Sequence, residues 1–304
     1  MFSHLAYTLI GWLVCAPLGA VTEFAVTYDF SGGRFGDCLL SYLHAKWLAY
    51  EKNIPLVYKS FPLSSQLVMH DKEKSFSDLG TGPRIRVYWG QPLNPHVKLP
   101  LFYICSYFPE SRWELENTKQ SEGRPWAPFQ VNWKDPKFRQ IVSEMIAPKK
   151  HLTLITPPKD HLSIAVHYRD GGDYDFSDKT TLWPLKFPPF DFYVDALRSA
   201  IAEARGKPIY CFLFTDAVDR EALAKKFEEA IPIQFNYRKR NDRPESHVLE
   251  DFFSLFQFDI LIRSESNFSL IPSLIHDFAI VYYPDEFVTV GNVTAITHIQ
   301  KVTR

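Results

Sequence analysis

From Leu162 onward the chain repeats a single unit: a short apolar run, a polar turn, then a segment with apolar residues at every third or fourth position. The apolar runs Leu162–Val166, Ile209–Phe214, Ile231–Phe235, Asp259–Ile262 and Ala279–Tyr282 read as strands. Between them, Pro189–Arg205, Val218–Ala230, His247–Gln257 and Phe268–His276 read as helices. In the first helix Tyr193, Ala196, Leu197, Ala200, Ile201 and Ala204 form one continuous stripe, as a face turned to a core requires. Strands this short and apolar are buried on both faces, and parallel neighbours need a crossover helix between them. The pattern predicts an α/β fold with a parallel sheet covered by helices on both sides.

The first half is less regular. Phe24–Tyr28 reads as a strand, Ser31-Gly32-Gly33-Arg34-Phe35-Gly36 as a loop, and Asp37–Tyr50 as a helix with Leu39, Leu43 and Trp47 on one face. Pro55–Tyr58 is a second strand. Arg84–Trp89 and Leu101–Phe108 are short strands among the many prolines and aromatics of Phe61–Pro128, and Phe138–Ile146 is a helix that stops before Pro148. Lys149–His161, with Pro157-Pro158, reads as an interdomain linker. The expected organisation is therefore an N-terminal segment (1–20), an N-terminal α/β lobe (21–150) and a C-terminal Rossmann-like lobe (151–304). Ligands of such sheets bind at the C-terminal ends of the strands, here in a central cleft between two Rossmann-like lobes. With 304 residues, 46% of them hydrophobic, the chain can fill two such cores, and disorder is excluded as its main state.

Phe2–Ala20 contains no Lys, Arg, Asp or Glu and ends on a small residue, as a signal peptide or an uncleaved membrane anchor would. A buried N-terminus is the alternative. The segment points to the secretory pathway or a membrane-anchored protein, with a cytoplasmic protein as the other reading. A formal net charge of -1 gives no broad surface for nucleic acid. Cys15 lies in the N-terminal segment; Cys38, Cys105 and Cys211 lie in apolar or motif-like runs and read as buried thiols. No spacing suits a structural zinc.

Four constellations can carry chemistry. Gly33-Arg34-Phe35-Gly36, between strand and helix, offers close backbone approach and free N–H groups to an anion, although an ordinary tight turn has the same composition. His167-Tyr168-Arg169-Asp170-Gly171-Gly172-Asp173-Tyr174-Asp175 comes directly after an apolar strand. There Arg169 can fork onto a diphosphate, and His167 shares its side of the strand. An interlobe salt bridge to Asp170, Asp173, Asp175 or Asp178 is the structural alternative, and Asp173-Tyr174-Asp175 is also a D-x-D, a pattern that holds a metal in some glycosyltransferases. Asp216, ending Phe212–Thr215, is either a helix N-cap or a carboxylate that accepts two donors of a base such as guanine. Ser264-Glu265-Ser266-Asn267-Phe268-Ser269 opens a helix and suits either a phosphate or simple capping by Ser266 or Asn267. Asn267-Phe268-Ser269 and Asn292-Val293-Thr294 are glycosylation sequons, and Tyr237-Arg238-Lys239-Arg240 with Arg243 reads as a solvated basic loop.

In order and spacing these four motifs resemble the fucosyltransferase superfamily, which includes the α-1,2-, α-1,6- and protein O-fucosyltransferases, from about Tyr28 to Ala279. Gly33-Arg34-Phe35-Gly36 looks like its opening Gly-Arg-Phe/Leu-Gly-Asn-Gln. His167-x-Arg169 with Gly172-Asp173-Tyr174 is similar to its His-x-Arg-Arg-Gly-Asp-Tyr, Phe214-Thr215-Asp216 to its Phe-Ser/Thr-Asp, and Ser266–Ser269 to its Ser-Ser-Phe-Ser. The resemblance implies a GT-B-type fold and inverting, metal-independent sugar transfer from a GDP-sugar such as GDP-fucose to a hydroxyl of a glycan or protein, with no cofactor. On it, Arg169 holds the diphosphate and aids its departure, assisted by Gly33, Arg34, Phe35, Gly36 and His167. Ser266, Asn267, Phe268 and Ser269 close on the phosphates, Asp216 reads guanine, and the resemblance makes 151–304 the GDP-sugar-binding lobe and 21–150 the acceptor side. The chain departs from the pattern at Asp37 and Cys38, where the family has Asn and Gln, and at Asp170, where it has a second Arg. A carboxylate at position 37 is suited to serve as general base on the acceptor, with Asp173 the second candidate. The same departures make a catalytically inactive sugar-nucleotide or carbohydrate binder the alternative reading.

Overall fold

The computed structural model describes residues 25–30, 33–75, 131–171, 177–239 and 247–303, together with the backbone of 85–88 and 101–105. The N-terminal segment 1–20 and the pair Asp173 and Asp175 lie outside the described residues.

The N-terminal lobe contains β1 (Ala25–Tyr28), α1 (Phe35–Lys52), β2 (Val57–Tyr58), α2 (Met69–Lys72), β3 (Lys74–Ser75), β4 (Ile85–Tyr88), β5 (Leu101–Cys105) and α3 (Pro136–Ile146). Its sheet runs β1-β5-β4, all parallel; β2 pairs with β3, and Leu56 bridges β1 at Val26. α1 is buried along nearly its whole length, not only along the stripe of Leu39, Leu43 and Trp47. It ends on Asn53 in the left-handed region (φ 52°), a backbone conformation that asparagine tolerates. Asp135 caps α3 through the Phe138 amide, and Pro136 occupies the first turn, where no N–H is needed.

The C-terminal lobe contains β6 (Leu162–Tyr168), α4 (Lys179–Leu182), α5 (Phe190–Ala202), β7 (Ile209–Thr215), α6 (Arg220–Ala230), β8 (Phe235–Tyr237), α7 (Val248–Ser254), β9 (Ile260–Arg263), α8 (Asn267–Ile275), β10 (Ile280–Val290) and β11 (Val293–Thr303). The sheet order is β11-β10-β9-β6-β7-β8, parallel throughout except for β11. Alternate strand residues serve opposite layers. Ile164, Val166, Leu213, Ile260 and Ile262 meet Tyr193, Leu197 and Phe227 of α5 and α6. Ala165, Phe212, Phe214, Leu261 and Val281 meet Leu255, Phe258 and Phe278 on the other side. The expected α/β class and doubly covered parallel sheet are what the chain forms. From β6 the chain moves outward through β7 and β8, then returns to the other side of β6 for β9 and β10. The strand order therefore reverses between β6 and β9, and a crevice at such a reversal is where open parallel sheets bind ligands.

α7 and α8 face both lobes. Leu249, Phe252, Ile271 and Ile275 join Phe35, Leu39 and Leu43 of α1 in one apolar cluster, with Phe35 and Phe252 edge to face at 5.3 Å. From α3, Arg139 closes the far end of α8, donating to the Ile275 carbonyl at 2.7 Å and pairing with Asp277 at 3.0 Å.

Several sequence expectations need correction. The strand expected at Ile231–Phe235 forms at Phe235–Tyr237, because Pro232 carries no ladder donor and Ile231–Gln234 turns out of α6 instead. The strand expected to end at Tyr282 runs on to Val290 and returns as β11. Pro284 sits where the register shifts between Pro284 and Glu286, so it does not end the strand. The N-cap of α6 is Asp219, which accepts from the Ala222 amide at 2.8 Å; Asp216 caps no helix. Arg238 is not a solvated loop residue: it pairs with Asp251 at 2.8 Å and Glu250 at 3.3 Å, tying β8 to α7. Cys38 and Cys211 are buried free thiols, as expected. No helix among the described residues is long and apolar enough to cross a membrane.

Candidate functional site

The site is built where the strand order reverses. Immediately after β6, Arg169 extends across to the turn at the end of β9, and its Nη1 donates to Ser266 Oγ at 3.1 Å. Its guanidinium lies 5.4 Å from the centre of the Phe187 ring, a cation–π contact that orients the fork. Ser266 occupies the N-cap position of α8 but makes no side-chain cap. Its hydroxyl faces Arg169, so in place of the capping alternative it bridges two strand ends. In the first turn of α8 the Ser269 amide donates to the Ser266 carbonyl at 3.0 Å, and the Phe268 amide packs against Gly36.

His167 shares this side of the sheet with Arg169, as the strand alternation predicts. Its Nδ1 is 2.8 Å from Ser269 Oγ, and the Ser269 hydroxyl donates to the Ser266 carbonyl at 3.3 Å. The network thus assigns the proton to His167 Nδ1. The ring also packs on Phe268, centroids 5.4 Å apart. Burial lowers the His167 pKa to about 3, opposed by Asp216 and reinforced by Arg169, Arg263 and Arg34, so the imidazole is neutral. The charge at the site is carried by arginines.

Asp216, at the end of β7, holds the loop after β6. Its Oδ1 accepts from the amides of Asp170 at 2.7 Å and Gly171 at 3.3 Å, and its Oδ2 pairs with Arg34 Nη2 at 3.0 Å. Burial raises its pKa, but the Asp170 amide, the charge of Arg169 and the Arg34 hydrogen bond outweigh that, and the carboxyl sits below its ordinary range. The expected reading of guanine by Asp216 therefore meets an occupied carboxylate: one oxygen is used by main-chain amides, and a base would have to displace Arg34 from the other. Arg34, half exposed, reaches over from the N-terminal lobe to make this pair, so the ion pair spans the cleft.

The opening loop contributes through close packing. A Cβ on Gly36 would meet the Phe268 amide nitrogen at 2.6 Å and the Asn267 carbonyl carbon at 2.9 Å. Its glycine is needed so that the starts of α1 and α8 can touch. Phe35 is buried in the shared cluster. A Cβ on Gly33 would lie 2.0 Å from Asp37 Oδ2, so this glycine makes room for the Asp37 side chain. Neither glycine has the positive φ that would require it for conformational reasons. Asp37, in the first turn of α1, accepts from Asn267 Nδ2 at 2.6 Å. A carboxylate where two helix N-termini converge is electrostatically favoured.

The structure thus brings together Gly33, Arg34, Phe35, Gly36, Asp37, His167, Arg169, Asp216, Ser266, Asn267, Phe268 and Ser269; Asp173 lies outside the described residues. It adds two residues that the sequence reading passed over, Arg263 and Lys179. Arg263, the last residue of β9, stands beside His167 in register and donates to the Ser264 carbonyl at 3.1 Å. The available signal was a cation closing an otherwise apolar strand. Lys179 of α4 also joins the rim, bonding to the Asp170 carbonyl.

No protein-family model matches the chain, and no curated protein sequence does. Among solved structures it is similar to NodZ, an α-1,6-fucosyltransferase soaked with GDP-fucose, at 15% identity and a TM-score of 0.48, over 93% of this chain and 99% of that one. The same values hold for a structure of fucosyltransferase NodZ from Bradyrhizobium. POFUT1 in complex with GDP-fucose is similar at 13% identity and a TM-score of 0.48, over 87% of this chain and 96% of that one.

Proposed function

We propose that the chain is an inverting, fucosyltransferase-like glycosyltransferase that moves a sugar from a GDP-sugar to a hydroxyl of a glycan or protein. The observation that carries this reading is the bridge from Arg169 to Ser266, which sets a guanidinium at the start of α8 where the strand order reverses between β6 and β9. The acceptor hydroxyl attacks the anomeric carbon as the bond to the diphosphate breaks on the opposite face. Arg169 stabilises the charge that develops on the leaving group, and GDP departs. Asp37 takes the hydroxyl proton, its carboxylate aimed by Asn267. In this reading no metal or cofactor takes part, and the uncharged Phe2–Ala20 segment acts as a signal peptide or membrane anchor. The experiment is calorimetric titration of GDP, with sugar transfer measured alongside, on the wild type and Arg169→Ala. The variant is expected to lose at least about thirtyfold in affinity, as truncation of one partner of a hydrogen-bonded charge pair does. Wild-type affinity and transfer in that variant refute the assignment.

One observation favours a second reading. Asp37 places a negative charge where two helix N-termini would otherwise serve the donor alone, and this fits a protein that binds a sugar nucleotide without transferring the sugar. Binding of GDP with no donor turnover across an acceptor panel would decide for it.

A further inference from the structure

The loop after β6 carries an acid, Asp170, directly beside Arg169. Asp170 engages Lys179, whose Nζ lies 3.8 Å from its carboxylate. A diphosphate bears more negative charge than one guanidinium offsets, so a further cation is needed near Arg169. Arg263 lies on the neighbouring strand, in register with His167, two residues before Arg169. Across the sheet Phe214, His167, Arg263 and Tyr283 form one row, set by the pairings of His167 with Phe214 and Arg263 and of Tyr282 with Ile262. Arg263 is only 6% exposed. Its guanidinium lies 4.6 Å from the Tyr283 ring centre, and its Nη1 donates to the Ser264 carbonyl. These contacts fix the plane of the group directly beneath the turn that ends in Ser266. A buried guanidinium is expensive for a fold, and a field from low-dielectric surroundings reaches farther than one from the surface.

We propose that Arg263 is the second cation of this anion subsite: a positioning residue that acts on a bound diphosphate from beneath the Ser264–Ser266 turn and supplies the charge that position 170 does not. The inference rests on the diphosphate reading of the crevice. Calorimetric titrations at fixed ionic strength with inorganic pyrophosphate, GDP and guanosine, on the wild type, Arg263→Gln and Arg263→Lys, test it. Glutamine keeps a donor for the Ser264 carbonyl and loses the charge; lysine keeps the charge. Arg263→Gln is expected to weaken pyrophosphate and GDP about tenfold and guanosine less than about twofold, with Arg263→Lys within about threefold of wild type throughout. Unchanged pyrophosphate affinity in Arg263→Gln overturns the inference. So does an equal loss for all three ligands in both variants, which is the mark of a merely structural role. If the wild type binds pyrophosphate but neither GDP nor guanosine, the sugar-nucleotide reading falls, and the pyrophosphate arm still decides for or against Arg263. A wild type that binds none of the three overturns both.

Discussion

Gly36→Ala probes how tightly the two lobes must meet for this site to exist. The added methyl group would lie 2.6 Å from the Phe268 amide nitrogen and 2.9 Å from the Asn267 carbonyl carbon and the Phe268 Cα. All three are backbone atoms, so no rotamer change relieves the contact. Restoring ordinary van der Waals contact, which begins at 3.4 Å, moves the start of α1 away from the start of α8 by about 0.8 Å. The Asp37–Asn267 hydrogen bond, 2.6 Å long, stretches by a similar amount toward the limit of a useful bond. Overpacking of this kind costs about 1–3 kcal/mol, and weakening a charge-assisted bond adds about 1 kcal/mol, so Tm should fall by roughly 4–16 °C. GDP affinity should fall with it, because the two helix N-termini no longer converge. Differential scanning fluorimetry with and without GDP reads both effects. Gly33→Ala is the companion variant: its methyl group would lie 2.0 Å from Asp37 Oδ2 and 2.5 Å from Asp37 Cβ, and because rotation cannot move Cβ, Tm should fall together with sugar transfer. A Gly36→Ala protein with the wild-type Tm and GDP affinity would refute the argument that close approach of α1 and α8 builds the site.

Three more outcomes are expected. The folded-state pKa of His167, about 3, is below its unfolded value near 6.5, so the unfolded chain takes up the proton first and stability falls as pH drops between the two, by up to about 1.4 kcal/mol per pH unit. Urea denaturation between about pH 7 and about pH 5 should show that slope in the wild type and a shallower one in His167→Asn; equal slopes would count against a buried neutral imidazole. The Asp216 carboxyl is held below its ordinary range, so its contribution is present above the unfolded carboxylate pKa and is lost as pH falls through the lower folded value. Asp216→Asn should therefore cost about 1–3 kcal/mol near neutral pH and progressively less below about pH 4; a gap independent of pH would show that the Arg34 ion pair is not its source. Of the two sequons, Asn267 is tied to Asp37 at the start of α8, whereas Asn292 is exposed at the tip of the β10–β11 hairpin beside Gly291. Expression through a eukaryotic secretory pathway should add glycan at Asn292 alone, and a mass shift that survives Asn292→Gln would contradict this.

The alternation beyond Leu162 made the parallel sheet legible, because buried parallel strands and their crossover helices leave two distinct periodicities in the chain. Arg169 and His167 were legible for the same reason, since residues two apart on a strand share a side. The β10–β11 hairpin was missed because Pro284 reads as a stop. Its Gly291-Asn292 turn between alternating runs carried the opposing signal, with Gly291 at φ 61°. Asp216 read as a helix cap or a base reader because local sequence shows only an acid's neighbours along the chain, not the groups that converge on it in space.

The sequence by itself determined the α/β class, the strand ends that bear Arg169 and Asp216, and the glycines that mark the start of α1, all of which depend on local periodicity and backbone chemistry. The tertiary structure alone decided the relations among them. It set the reversal of strand order between β6 and β9, the contact of Gly36 with Phe268, the pair of Arg34 with Asp216, the hydrogen bond of Asn267 to Asp37, and the burial of Arg263 beside His167. Such long-range pairings depend on how helices pack between two sheets, and no period in a single chain encodes that.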